Sequence, residues 1–380
     1  MYDHGFKGAI RNIVPSRSIP DGTLADCINL DIDDAGALVL MRGSRVALNV
    51  PNSSAYSTQS QQGYVVSNGI LNEVLPDMTL ILLTNSTADE FTDHGGILFC
   101  NDGVSVDSGK ATNLKIPTPT IPLNLVPSGG SELQPGTYQA TYTYRIPNGL
   151  EGGTAPIAAI ELTDVGNVYI EPPPAIAGFV VTVYFTDCNG TVFYGNDGIK
   201  LEQSNLLADP FPDDVQKIAY HESKLFCSVA LPDGQTAIIH SKPFYYHLFN
   251  YAKNYFIVPG EVRGMMSAGS ALIIATDKQL LAYNDGLTVL ADYGCPQGRP
   301  LALSPNGQVM IHSDRGECVA LPFQNLTEGK CSLSPGTVCS TKVIHQRGMQ
   351  QFIVLTDGMG DAFNAYKDQR VLLPPTEVSG

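Results

Sequence analysis

The chain has no tryptophan among its 380 residues, and only 22 are Lys or Arg against 37 Asp or Glu. At a formal charge of −15 it lacks the basic face that a nucleic-acid clamp needs. Its seven histidines (His4, His94, His221, His240, His247, His312 and His345) form no HxxxH or HxH pair, so zinc has no support in the spacing. There is no G-x-x-x-x-G-K-[ST] phosphate loop and no G-x-S-x-G elbow. Gly5 to Gly8 is too short to act as a nucleotide loop. An Asp31-to-Arg42 segment rich in carboxylates places Arg42 where an EF-hand needs its closing glutamate, so calcium is not expected there. No apolar run is long enough to span a bilayer, and the opening MYDHGFKGAIRNIVPS has no continuous apolar core of the kind a signal peptide carries. No catalytic, cofactor-binding or metal-ligating residue is therefore expected.

The eight cysteines are Cys27, Cys100, Cys188, Cys227, Cys295, Cys318, Cys331 and Cys339. They include no CxxC pair and mostly sit inside apolar runs, which favours buried thiols. A Cys318–Cys331 or Cys331–Cys339 bridge stays open.

Glycine (37) and proline (26) are frequent, and 43% of the chain is apolar, so a packed chain with many turns is expected. The clearest unit is Gly260–Gly286, GEVRGMMSAGSALIIATDKQLLAYNDG, in which runs of about four apolar residues alternate with Gly, Asp and Asn turns. The rhythm returns in VQKIAYHESKLFCSVAL (215–231), in residues 299–321 and in TKVIHQRGMQQFIVL (341–355). A repeat distance of roughly 30 to 50 residues is the scale of a propeller blade. The chain is thus expected to be all-β, a β-propeller of five blades with six or seven also open.

Taken in order, residues 1–23 read as an N-terminal arm containing Pro15 and Pro20. Residues 24–122 read as the first part of the propeller. They open with a half-exposed strand in which Ile28, Leu30 and Ile32 alternate with polar residues, and a return strand Leu38–Met41. Residues 49–62 read as loop. The segment 110–130 carries Pro117, Pro119, Pro122 and Pro127 and reads as a stiff linker ending in a Ser-Gly hinge. Residues 123–205 read as an inserted fibronectin- or Ig-like β-sandwich, with Tyr138, Tyr142 and Tyr144 on one strand face. Residues 206–370 resume the propeller, and 371–380 form a tail.

The most unusual composition is PFYYHLFNYAKNYF, residues 243–256. Only Lys242 and Lys253 accompany it, which is poor for stacking nucleic acid. A core strand with an aromatic edge is one reading and a protein contact patch the other. On the second, Phe244, Tyr245, Tyr246, Phe249, Tyr251, Tyr255 and Phe256 are interface candidates, joined by Tyr138 and Tyr142 of the insert.

Several stretches, each weak alone, fall in a shared order. Gly8-Ala9-Ile10-Arg11-Asn12 precedes Leu24-Ala25-Asp26-Cys27-Ile28-Asn29-Leu30-Asp31, then Gly36 and Arg42-Gly43. Pro135–Tyr138, Lys242–Tyr245 and Gly264–Tyr283 follow. Together these resemble virion proteins of tailed bacteriophages that carry a β-propeller, the tail tubular, nozzle or packaged-DNA stabilisation proteins. Cys27 stands where that pattern has alanine and Ala25 where it has a basic residue. The resemblance implies a structural neck or tail protein located in the virion, forming a ring, expected to be hexameric, that extends the DNA channel and helps retain and deliver the genome. It implies adaptor, portal and other tail proteins as partners, and double-stranded DNA passing without sequence-specific binding, which an acidic wall would favour. The alternative is a host-receptor or glycan-binding propeller decorating tail or capsid. A solvated surface accounts equally for the acidity.

Overall fold

The computed structural model describes residues 30–32, 38–40, 54–147, 149–304, 306–322, 324–327, 336–346, 349–356, 359–364 and 369–373. Among these residues there is no helix; the chain is all-β. The arm 1–23, the tail 374–380 and Cys331 with its two open bridges lie outside them. In the first acidic segment, β1 (Leu30–Ile32) and β2 (Leu38–Leu40) pair antiparallel, as the alternation there predicts.

Two compact units follow from the packing. One comprises residues 51–229 and 237–257. Its first sheet is the antiparallel meander β3 (Ser54–Ser57), β4 (Gly63–Ser67), β5 (Ile70–Val74) and β6 (Leu80–Asn85). Its second is β7 (Phe91–His94), β8 (Ile97–Cys100), β9 (Val104–Asp107) and β10 (Lys110–Asn113). Strand β3 falls in the stretch expected to be loop. The hairpins close on Asn68-Gly69 (φ 50° and 74°) and Ser108-Gly109 (φ 50° and 74°). This two-residue turn needs positive φ twice, which glycine and asparagine supply most cheaply. Tyr64, Val66, Leu71, Phe91, Leu98, Cys100 and Val106 form the core between these two sheets.

The inserted strands come next: β11 (Leu125–Leu133), β12 (Gly136–Arg145), β13 (Glu151–Thr154), β14 (Ala158–Leu162), β15 (Gly166–Ile170), β16 (Val180–Thr186) and β17 (Phe193–Gly195). A five-stranded sheet around β12 and the ribbon β11–β15 share one core, in which Leu125 and Ile170 meet Ala140, Tyr142 and Tyr144. The Ser-Gly hinge expected near residue 130 is instead strand: Ser128 and Gly129 lie in β11, whose register shifts between Ser128 and Leu133. Gly130 lies against Asn167, whose Cγ would stand 2.4 Å from a Cβ there, and Asn167 Oδ1 accepts from the Glu132 N–H at 3.2 Å. Pairing with β15 overrides the flexibility that composition suggests.

The unit ends with the meander β18 (Val215–His221), β19 (Lys224–Ala230), β20 (Thr236–His240) and β21 (Tyr255–Val258). Phe99, Leu114, Phe211, Ile218, Leu225, Cys227 and Phe249 pack as its core. Lys217 of β18 and Glu90 form an ion pair with both side chains largely buried.

The second unit holds 230–236 and the described residues from 258 onward, along with β1 and β2. It contains β22 (Val262–Ala268), β23 (Ala271–Thr276), β24 (Leu280–Tyr283) and β25 (Leu287–Ala291), a four-stranded meander as the 260–286 pattern predicts. After β26 (Gln297–Arg299) comes the meander β27 (Leu301–Leu303), β28 (Val309–His312), β29 (Cys318–Ala320) and β30 (Gln324–Asn325). The last sheet is β31 (Val338–Gln346), β32 (Met349–Thr356), β33 (Met359–Asn364) and β34 (Gln369–Leu373), with β26 added parallel to β31. Among the described residues, consecutive four-stranded antiparallel meanders of this kind are the building unit of a propeller-type fold.

Candidate functional site

The aromatic stretch is not a strand for most of its length. Residues 241–254 form a chain of turns between β20 and β21, and only Tyr255 and Phe256 enter β21. The Leu248 N–H bonds to Tyr245 O at 3.0 Å and the Lys242 N–H to Leu248 O at 2.8 Å, so the backbone closes on itself in place of a ladder. Leu248 and Phe249 are fully buried. Tyr245, Tyr246 and Phe256 are half-buried, whereas Phe244, Tyr251 and Tyr255 are exposed.

Three of the nine aromatic candidates are thereby removed from the surface. Phe249 stands edge-on to Phe211 at 5.6 Å within the core. Tyr138 and Tyr142 belong to β12, which pairs with β13 and β14 on one side and β16 on the other. Both faces of this central strand are covered: Thr141 and Thr143 are as buried as the tyrosines. An aromatic at alternate positions of such a strand packs inward regardless of its suitability for contacts.

One side of the aromatic loop holds the insert in place. Phe249 and Asp209 exchange both backbone hydrogen bonds, at 2.9 and 3.0 Å. The Tyr251 hydroxyl donates to Pro210 O at 2.8 Å and its N–H to Asp209 Oδ2 at 2.7 Å. Lys242 Nζ donates to Ser204 O. His247 Nε2 lies 2.9 Å from Glu151 O, which also accepts from Asn205 Nδ2 at 2.8 Å. The Glu151 carboxylate in turn accepts from Thr143 Oγ1 and from the Tyr184 hydroxyl at 2.7 Å. Burial, then the adjoining carboxylate, pushes the Tyr184 phenol well above its usual range. Burial likewise holds the His247 imidazole below its ordinary value. These groups are committed to one another and to the fold.

The other side of the loop is where aromatic surface is left open. β18 and β19 are joined by a two-residue turn, Glu222-Ser223, with φ of 45° and 63°. Neither residue is the glycine or asparagine that this turn normally demands. Phe244, also left-handed at φ 65°, bonds through its N–H to Ser223 O at 2.8 Å. Phe244 is 71% exposed. Two left-handed turn residues and a third left-handed residue are thus linked through the Phe244–Ser223 bond, a cost of about 1–3 kcal/mol each that the surrounding sheet must sustain.

Tyr220 and Tyr246, each two residues from this tip, belong to a cluster of rings. His94, at the end of β7, lies over Tyr220 with centroids 3.8 Å apart and planes within 10°. Tyr220 meets Tyr246 at 6.0 Å, and Tyr246 stands edge-on to the buried Phe99 at 4.9 Å. Burial and a hydrogen bond with Tyr220 push the Tyr246 phenol up to about 12. The arrangement offers flat apolar faces with hydroxyl and imidazole edges, the chemistry of contact hot spots. His94, Tyr220, Glu222 and Ser223 were not among the sequence candidates. One signal for the tip is legible in hindsight: AYHESKLF places only two residues between paired strands, and neither is Gly or Asn.

Among the described residues, no group of three or more His, Cys, Asp or Glu side chains is placed to hold a metal ion. In the second unit, Ser313–Gly316 is a turn in which Asp314 Oδ2 accepts from the Gly294 N–H at 3.2 Å and Arg315 lies 5.2 Å over the Tyr293 ring. No helix among the described residues is long and apolar enough to cross a membrane.

No protein-family model matches the chain, and the search of curated proteins gave no match. Solved structures give distant likenesses. The Dos1 propeller is 7% identical over 87% of this chain and 79% of that one, with a TM-score of 0.38. The WD40 β-propeller domain of Doa1 is 7% identical over 85% and 81%, with a TM-score of 0.37. PorZ, a surface component of the type-IX secretion system of Porphyromonas gingivalis, is 12% identical over 88% of this chain and 39% of its own, with a TM-score of 0.35.

Proposed function

We propose that this chain is a recognition component of a bacteriophage virion, a propeller-type tail or capsid protein that binds a host-surface or glycan partner and performs no covalent chemistry. The observation that carries the reading is the exposed Phe244, held at positive φ and bonded through its N–H to Ser223 O of the left-handed Glu222-Ser223 turn. Strain of this kind persists in ligand clamps, where the displayed side chain repays its cost on binding. The neighbouring His94–Tyr220–Tyr246 stack supplies further flat surface for a sugar ring or an apolar side chain. The virion setting rests on the ordered resemblance of the sequence motifs. The reading takes the four-stranded meanders as blades, and six of them among the described residues raise the expected number from five.

The test is binding of the purified chain to envelope fragments of the phage's host, read by biolayer interferometry. Phe244→Ala and Tyr246→Ala are each expected to weaken binding by about thirtyfold, the effect of losing a contact worth about 2 kcal/mol. Undiminished binding by both folded variants would overturn the assignment of this face.

A nozzle-like ring around the DNA path is the second reading, and the charge of −15 favours it because an acidic lumen resists adhesion of phosphate. It requires hexameric rings in electron micrographs of the purified protein and of the virion. Monomers alone, with the protein located on the tail or capsid exterior, would exclude it.

A further inference from the structure

Between the first two sheets of the unit that contains β3–β21 lies an open crevice of about 390 Å³. That volume is at the small end of ligand sites, which span roughly 300–1,000 Å³. The crevice is lined by Thr84, Asn85 and Thr87 at the end of β6, by Thr112 and Asn113 of β10, and by Val104 and Ala111.

We propose that this crevice binds a neutral polyhydroxylated ligand, a short saccharide segment. The charges on its wall are already used. Asp102 accepts from Ser86 Oγ at 2.6 Å, from the Thr87 N–H at 2.9 Å and from the Val104 N–H at 3.3 Å. Lys115 Nζ pairs with Asp213 at 3.2 Å, and its stem lies over Gly103, whose φ of 84° lets the chain turn beneath it. No arginine lines the crevice, so it lacks the fork that recognises phosphate or carboxylate. No aromatic ring lines it either, so a flat base has nothing to stack on. The groups left over are uncharged. Among the described residues, the hydroxyls of Thr84, Thr87 and Thr112 and the Asn85 amide have no side-chain hydrogen-bond partner. A hydroxyl both donates and accepts, and an amide does each at one end, which matches the paired donor and acceptor character of sugar hydroxyls. Half-buried Ala111, packed against the core that includes Val104, provides the apolar contact that a pyranose C–H face needs.

The inference deepens the recognition role, on which it rests for the class of ligand, and assigns it a place separate from the Phe244 tip. Saturation-transfer NMR of the full chain with lactose, maltotriose and chitobiose tests it, with sialyllactose as the charged comparison. At least one neutral sugar is expected to give transfer, and sialyllactose no more than lactose. Asn85→Ala and Thr112→Val are each expected to weaken that binding about tenfold while the melting temperature holds, and Gly129→Ala, outside the crevice, to leave it unchanged. Thr112→Val keeps the shape of the side chain, so its loss reads the hydroxyl. Absence of transfer from all three neutral sugars, equal affinity in both crevice variants, or preference for sialyllactose would overturn the proposal. Failure of the Phe244 reading has a different signature, undiminished envelope binding by Phe244→Ala and Tyr246→Ala with transfer in the crevice intact.

Discussion

Replacing Phe244 by glycine should leave the protein more stable than replacing it by alanine, the reverse of the usual order. Both changes remove the same ring, and since that ring is 71% exposed, its removal costs far less than the roughly 3–5 kcal/mol expected for a buried phenylalanine such as Phe249. What differs is the Cβ. At φ 65° a Cβ crowds the following carbonyl, at about 1–2 kcal/mol. Glycine escapes that strain but loses roughly 0.5–1 kcal/mol through its greater freedom in the unfolded chain. The difference leaves Phe244→Gly ahead by about 0.5–1 kcal/mol, a few tenths molar in urea midpoint if the slopes match. Urea titration followed by tyrosine fluorescence measures it, and both variants should lose envelope binding together. An alanine variant at or above the glycine variant in stability would refute the claim that the fold holds this residue under strain, and with it the argument for the tip.

Further outcomes are expected. Gly153→Ala should cost about 2 kcal/mol or more in urea unfolding, because the new Cβ would stand 1.8 Å from Ala208 O where the insert's return segment docks. Gly129→Ala, with nothing within 4 Å of its Cβ, should change little. Stability should fall as pH drops below about 6.5, because burial lowers the folded pKa of His221, His240 and His247 and the unfolded chain takes up protons first. That contribution is fully present above the unfolded value and is lost toward acid. His247→Gln keeps a donor for Glu151 O and should flatten the slope, so an unchanged slope in urea titrations from pH 8 to 5 would exclude His247 as a contributor. Among the described cysteines, iodoacetamide should modify half-buried Cys188 first. Cys100, Cys227 and Cys295 should react only on unfolding, since burial raises their thiol pKa, and mass spectrometry of partly labelled protein reads the order.

The strands that the residues announce plainly are those with short apolar runs between Gly, Asn or Asp turns. Leu272–Ala275 and Leu280–Tyr283 fall within β23 and β24, and the run Phe179–Phe185 lies in β16 except for Phe179, which precedes it. The strands that carry no such pattern have little apolar content of their own. β11 contains Pro127, Ser128 and two glycines and is strand because β15 pairs with it, and β13 is Glu-Gly-Gly-Thr lying beside β12. Composition also misplaced the aromatic stretch, whose rings divide between a buried anchor at Phe249 and an open tip at Phe244. Burial there depends on which face the insert covers, and no local pattern contains that.

The sequence by itself determined the class of the protein: frequent turn residues and apolar runs too short for helices leave sheets as the only way to satisfy the backbone while burying side chains. Only the tertiary structure decided which aromatics are available to a partner. Tyr142 and Phe244 are both aromatic, but one lies on a strand paired on both edges and covered on both faces, and the other sits exposed in a left-handed conformation, bonded to a neighbouring left-handed turn. Exposure is a property of neighbours, and those neighbours come from segments far apart along the chain.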